Sequence, residues 1–169
     1  MQHSSNQILA QIDLTMWDYY PHFPTRENKF YLYSSIVPSE ALYLGHLIPF
    51  VFTKYLQDAF NVPLVIQLAD DVKFMSGNVS IEESQRLARE NAKDIIAGGF
   101  DISKTFIFSD IDYVGGAFYK NMVNFGNCLT YNEVEGICGL NLDDHIGKTF
   151  CQLVQINLSI VQLLYACSC

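Results

Sequence analysis

The chain has 169 residues, 50% of them hydrophobic, 14% aromatic and 17% charged, which excludes intrinsic disorder and suits one domain with a buried core. Ten Lys and Arg stand against 18 Asp and Glu, a net charge of −8, which makes a poor stand-alone nucleic-acid binder. Five cysteines, all after Gly126, are an odd and clustered set rather than a secreted disulfide framework, and no paired CxxC suggests a zinc site.

The start, Met1-Gln2-His3-Ser4-Ser5-Asn6, shows no signal peptide, so a reducing cytoplasm is the expected compartment. Asn78-Val79-Ser80 and Asn157-Leu158-Ser159 then read as chance glycosylation sequons. Residues 1–28 form an N-terminal extension in which Ile8, Leu9 and Ile12 allow a short helix and Pro21 and Pro24 prevent a long one. Lys29-Phe30-Tyr31-Leu32-Tyr33 reads as a strand, followed by a loop from Ser34 to Pro38. Ser39 is the expected N-cap of a helix from Glu40 to about Phe60, with Leu44, Leu47, Ile48, Val51, Phe52, Tyr55 and Leu56 at helical spacing. Pro49 is expected to kink or divide it.

Val62 to Leu68 is the second strand, continuous and β-branched, ended by Asp70-Asp71. Ser80-x-x-Glu83 is a capping box that opens a helix to about Ala97, and Gly98-Gly99 stops it. Lys104 to Phe108 is the third strand, and Tyr119 to Phe125 a further helix. Strands alternating with helices predict an α/β fold, a parallel sheet flanked by helices and joined by right-handed crossovers. Such a sheet is half of a doubly wound nucleotide-binding fold. From Phe150 to Cys169 the chain is a divergent apolar tail carrying Gln152, Gln155, Asn157 and Gln162. Those amides weaken a membrane-spanning reading, and leave a buried helix or a tail without its proper partner surface.

The segment Pro38-Ser39-Glu40-Ala41-Leu42-Tyr43-Leu44-Gly45-His46 leads from a strand into a helix, where exposed N–H groups favour phosphate. Gly45 allows a flat base close to the backbone, and His46 can donate to phosphate oxygens. Taken alone, the pair reads as a packed glycine and a partly satisfied histidine. Gly147-Lys148-Thr149 lacks the earlier glycine of a P-loop, since position 142 is Leu142. The ending Cys167-Ser168-Cys169 imitates a prenylated tail without any accompanying GTPase pattern.

Longer matches give these pieces a context. Phe30 to Tyr33, Gly45-His46-Leu47-Ile48-Pro49-Phe50, Phe60 to Gln67, Glu90 to Ala97, Lys104 to Asp110 and Gly116 to Asn121 resemble the catalytic domain of eukaryotic-type tryptophanyl-tRNA synthetase, a class I aminoacyl-tRNA synthetase. The resemblance runs from about Lys29 to Lys148 and implies a partial Rossmann-like fold, with residues 29–149 as the first half of the catalytic domain. It implies that Tyr33 and Gln67 accept the indole N–H of tryptophan, and that Gly45 and His46 bind ATP, with His46 catalytic and Mg²⁺ accompanying the phosphates. No protein metal ligands are expected. The implied partners are tryptophan, tRNA(Trp) and a second subunit, either a copy of this chain or a full-length one.

Several positions depart from the family pattern. Tyr43 replaces the first His of the ATP signature, Ser34-Ser35-Ile36-Val37 is shorter than the family's Gly-rich loop and lacks its Arg, and Val72 replaces a Glu that helps bind the amino acid. Lys73-Phe74-Met75-Ser76 imitates the second class I signature in the wrong half of the fold. The expectation is therefore a truncated ligase that is inactive alone. The alternatives are a non-catalytic interaction or dimerising fragment, or a non-functional splice product.

Overall fold

A computed structural model describes residues 31–167 apart from 78 and 142, with side chains described as far as 158. The expected helix around Ile8 and the Lys29-Phe30 start of the expected first strand lie outside the described residues. The chain divides into two compact units, with a sequence boundary between Tyr113 and Val114.

The first unit holds a parallel sheet in the order β1-β2-β3, with β1 Leu32–Ile36, β2 Leu64–Leu68 and β3 Thr105–Ser109. Pairing sets Tyr33 beside Val65 and Ser35 beside Gln67, and sets Gln67 beside Phe108. The first strand is thus displaced toward the C-terminus relative to the expected Lys29–Tyr33. Ser34 and Ser35, poor strand formers expected in a loop, are carried into the sheet because β2 offers them ladder partners through Leu68. Leu32 N–H bonds to Pro63 O at 2.8 Å, and Ala69 N–H to Ile36 O at 2.9 Å, which mark the two ends of the pairing.

Helix α1, Leu44–Phe60, joins β1 to β2. It starts later than expected, and Ser39 is not its cap. Asn91 holds the Ser39 backbone instead, accepting from its N–H and donating to its C=O, both at 2.8 Å. The residue before the helix is Tyr43, whose carbonyl accepts from the His46 and Leu47 N–H groups without any side-chain cap. Pro49 does not divide α1, which is one helix. Most of the apolar stripe read from the sequence is exposed, including Leu44, Ile48, Val51, Phe52 and Tyr55. The buried residues of α1 are Phe50 and Gln57.

A short helix not foreseen in the sequence, α2 Asp70–Ser76, follows β2 directly. Helix α3, Ile81–Ala97, begins as expected, with Ser80 Oγ accepting from Glu83 N–H at 3.2 Å. It ends at Gly98-Gly99, where Gly99 takes a left-handed φ of 78°. Leu64, Ile66 and Leu68 point to the face where Phe50, Ala88, Ile95 and Phe100 close the core. The alternation of a strand places Tyr33, Val65, Gln67, Phe106 and Phe108 on the other face. All five residues of β2 are buried, four of them apolar and the fifth Gln67, as a strand covered on both faces requires. A single turn, α4 Asp110–Tyr113, follows β3.

The second unit is helical among its described residues: α5 Gly116–Cys128, α6 Tyr131–Cys138 and α7 Ile146–Cys167. Helix α5 is longer at both ends than expected, and α6, opened by a reciprocal Thr130–Glu133 capping box, was not foreseen. Helix α7 runs without a break through Phe150, where the divergent tail was expected to begin. Both α5 and α6 pack on it. Cys151, Val154 and Leu158 are buried on α7 beside Asn157, whose amide nitrogen and oxygen are buried without a hydrogen-bond partner. No helix among the described residues is long and apolar enough to cross a membrane.

Candidate functional site

The ends of β2 and β3 and the side chain of Tyr33 converge on one polar cluster. Gln67 is the penultimate residue of β2 and is 0% exposed. Tyr33 stands early in β1, not at its end as expected. Its long side chain leaves the same face as Gln67, and its hydroxyl donates to Gln67 Oε1. On its other side the Gln67 amide donates through Nε2 to Asp110 Oδ2 at 2.6 Å. Burial pushes the Tyr33 phenol up to about 12, so it keeps its proton at any physiological pH.

Asp110 was not singled out in the sequence. It is buried at the turn after β3, and Asp70 is buried at the matching turn after β2. One carboxylate oxygen from each of Asp70, Asp71 and Asp110 lies within 4.8 Å of the others. Three carboxyls so close cannot all be charged at low cost. Burial first, and then the charges of Asp71 and Asp70, raise Asp110 to about 9, while the Gln67 hydrogen bond opposes this. Asp70 is also raised, mainly by burial, against the bonds that Ser109 and Ile111 give it.

The same trio is the acidic cluster that could be asked to hold a metal. Its oxygens are largely committed to protein donors. Asp70 Oδ1 accepts from Ile111 N–H at 3.1 Å, and its Oδ2 accepts from Ser109 Oγ. Asp71 Oδ1 accepts from Val72 N–H at 2.6 Å and Asp110 Oδ2 from Gln67, which leaves Asp110 Oδ1 buried without a hydrogen-bond partner. That donor set does not fit a resident Mg²⁺, which needs several uncommitted oxygens in octahedral array.

Gly45 and His46 occupy the first turn of α1. A side chain at Gly45 would meet nothing within 4 Å, so there is open space over that turn. His46 is partly buried, with its Nδ1 enclosed and unpartnered, and its ring lies 5.7 Å from that of Tyr43. No hydrogen bond or ring contact among the described residues links this turn to Tyr33 and Gln67. Val72, half-buried, sits in the first turn of α2 beside the acidic trio. Lys73 to Ser76 are helical within α2, not a signature loop.

The structure thus brings Tyr33 and Gln67 into direct contact and adds Asp110 to them. The sequence signal for Asp110 was positional: an acid immediately after a buried strand, as Asp70 is after β2. Open parallel sheets bind ligands outside the carboxyl ends of their strands, where these groups lie.

No protein-family model matches the chain. It is 69% identical over 124 residues to cytoplasmic tryptophan–tRNA ligase from Arabidopsis thaliana, a match that takes in 73% of this chain and 31% of that protein. Among solved structures, it resembles tryptophanyl-tRNA synthetase from Encephalitozoon cuniculi bound to tryptophan, with a TM-score of 0.72 and 36% identity over 76% of this chain and 36% of the other. The synthetase from Trypanosoma brucei gives the same TM-score of 0.72 with 41% identity, over 88% of this chain and 44% of that one. The chain therefore spans about a third of the length of the curated relative it matches. Over that span it belongs to the tryptophan–tRNA ligase family and carries the parallel, Rossmann-like sheet of the class I synthetases.

Proposed function

We propose that this chain carries the tryptophan-recognising part of a tryptophan–tRNA ligase, and that alone it binds the amino acid without completing the reaction. In this reading residues 29–149 are the first half of the catalytic domain, 1–28 an extension and 150–169 a tail. Tyr33 and Gln67 receive the indole N–H. The observation that carries the reading is the hydrogen bond from Tyr33 to a fully buried Gln67 on one sheet face. A buried polar pair costs stability unless satisfied, and this one is satisfied in a way that leaves the phenol oxygen able to accept.

Gly45 and His46 take ATP at the start of α1. The open space over Gly45 and the unpartnered Nδ1 of His46 support that assignment. In the ligase reaction the tryptophan carboxylate attacks the α-phosphate of ATP, pyrophosphate leaves, and a ribose hydroxyl of tRNA(Trp) then takes the acyl group. His46 would donate to phosphate oxygens as charge builds there. Mg²⁺ would arrive on the phosphates, and no step is assigned to a protein-held ion. With Tyr43 in place of a histidine and Val72 in place of a glutamate, both the phosphate and the ammonium end of the substrate lose charged partners. The site of action is the cytoplasm.

Calorimetric titration with L-tryptophan and a tryptophan-dependent ATP–pyrophosphate exchange assay test this together. Binding without exchange is expected. Absence of binding would refute the site, and sustained exchange would refute the inactivity. The exposed apolar stripe of α1 favours a second reading, a fragment that pairs with a full-length subunit or with its own copy. Sedimentation of the purified chain, alone and with intact enzyme, distinguishes it.

A further inference from the structure

Gln67 stands at the centre of the site, and its amide has two orientations of nearly equal shape. One turns Oε1 toward Tyr33, the other Nε2. Tyr33 cannot choose between them, because a phenol hydroxyl can donate to an oxygen or accept from an NH₂ group. Asp110 can. Its Oδ2 lies 2.6 Å from Nε2, and in either protonation state a carboxyl group keeps an oxygen that accepts. Asp110 is itself held in place, because Asp70 takes the N–H of the following residue, Ile111, and the hydroxyl of the preceding one, Ser109.

With Nε2 committed to Asp110, Oε1 faces Tyr33 and takes the phenol proton. The Tyr33 oxygen is then left as an acceptor. We propose that Asp110 is a positioning residue that sets the polarity of the Tyr33–Gln67 pair, so that the site takes a ring bearing an N–H and disfavours a ring of the same shape without one. This rests on the reading of Tyr33 and Gln67 as the indole-binding end. Were the amide reversed, Tyr33 would accept from Nε2 and point its own proton at the ligand. An indole N–H would then meet a donor.

The test compares L-tryptophan with β-(benzothiophen-3-yl)-L-alanine, in which sulfur replaces the N–H, by calorimetric titration of the full chain. The wild type should prefer tryptophan by about 10- to 100-fold, the effect of leaving a buried acceptor unpaired. Asp110→Leu should bring the two ligands within about threefold of each other. Asp110→Asn can offer a carbonyl oxygen to the same amide and should keep most of the preference. A residue that only supports the fold would weaken both ligands alike.

A preference retained in Asp110→Leu, or lost as fully in Asp110→Asn, overturns the inference and leaves the indole reading standing. A wild type that binds both ligands alike, or neither, overturns the indole reading and the inference with it. If Asp110→Leu does not fold, the side-chain amide of Gln67 in the wild type reports the same bond by NMR. One Nε2 proton should be shifted well downfield by the carboxyl group, and an unshifted pair overturns the proposal.

Discussion

Asn157→Leu should stabilise this protein. The residue is 0% exposed on α7, and neither its amide nitrogen nor its oxygen has a hydrogen-bond partner. Its neighbours on that face, Cys151, Val154 and Leu158, are buried. A buried polar group left unsatisfied costs about 1–3 kcal/mol. Leucine is a better helix former than asparagine by a few tenths of a kcal/mol, while fitting a different shape into a packed site costs up to about 1.5 kcal/mol. The balance is a gain of about 1–2 kcal/mol. For a chain of this size, a gain of 1 kcal/mol raises Tm by about 2–4 °C. Urea unfolding followed by helical circular dichroism, with a thermal melt in parallel, measures it. A midpoint that falls by the equivalent of 1 kcal/mol or more would refute the reasoning, because the amide would then be making bonds whose loss matters.

The acidic trio gives a pH prediction. Asp110 is raised to about 9 in the folded chain against about 4 unfolded, so the folded state holds more protons between those values. Its contribution to stability is whole below about pH 4 and is lost as pH rises toward 9. The urea midpoint should fall from pH 5.5 to 8.5, and Asp110→Asn should flatten that slope. On the proposed function, Val72→Glu supplies a carboxylate for the substrate ammonium and should tighten tryptophan binding about 3- to 30-fold. A charged hydrogen bond is worth about 1.5–3 kcal/mol, part of which repulsion from Asp70 and Asp71 offsets, and unchanged calorimetric affinity would count against the assignment. Phe52→Glu places a charge in the exposed stripe of α1 and should lower the apparent mass by light scattering with no loss of Tm.

The fold was legible where patterning is forced by burial. β2 is apolar apart from Gln67 because both its faces are covered, and it lies close to the expected place. The Ser80 cap and the Gly98-Gly99 stop bound α3 because those devices act locally. The first strand was misplaced because it runs on through Ser34 and Ser35, held in the sheet by a partner far along the chain. Ser39 looked like a cap, but a bond from Asn91, 52 residues away, decided its role. The α1 stripe was legible as helix but not as surface, since helical spacing says which residues share a face and not what covers it.

The site divides in the same way. Tyr33, Gln67, Gly45 and His46 came from resemblance, and only the first two meet. Asp110 came from neither motif nor periodicity, since its partner is set by how β2 and β3 align. The departures that the resemblance implies are uneven across the proposed site. A hydrogen-bond chain runs from Tyr33 through Gln67 to Asp110. The losses that the resemblance implies fall on groups that carry charge, at Tyr43, Val72 and near Ser34. Ring recognition needs shape and a few fixed dipoles, which a buried sheet end supplies by itself. Handling phosphates and an ammonium group needs full charges brought in from several segments. A chain spanning a third of its relatives can therefore keep the first capacity while lacking the second. Tryptophan affinity and ATP turnover should separate in this protein for that reason.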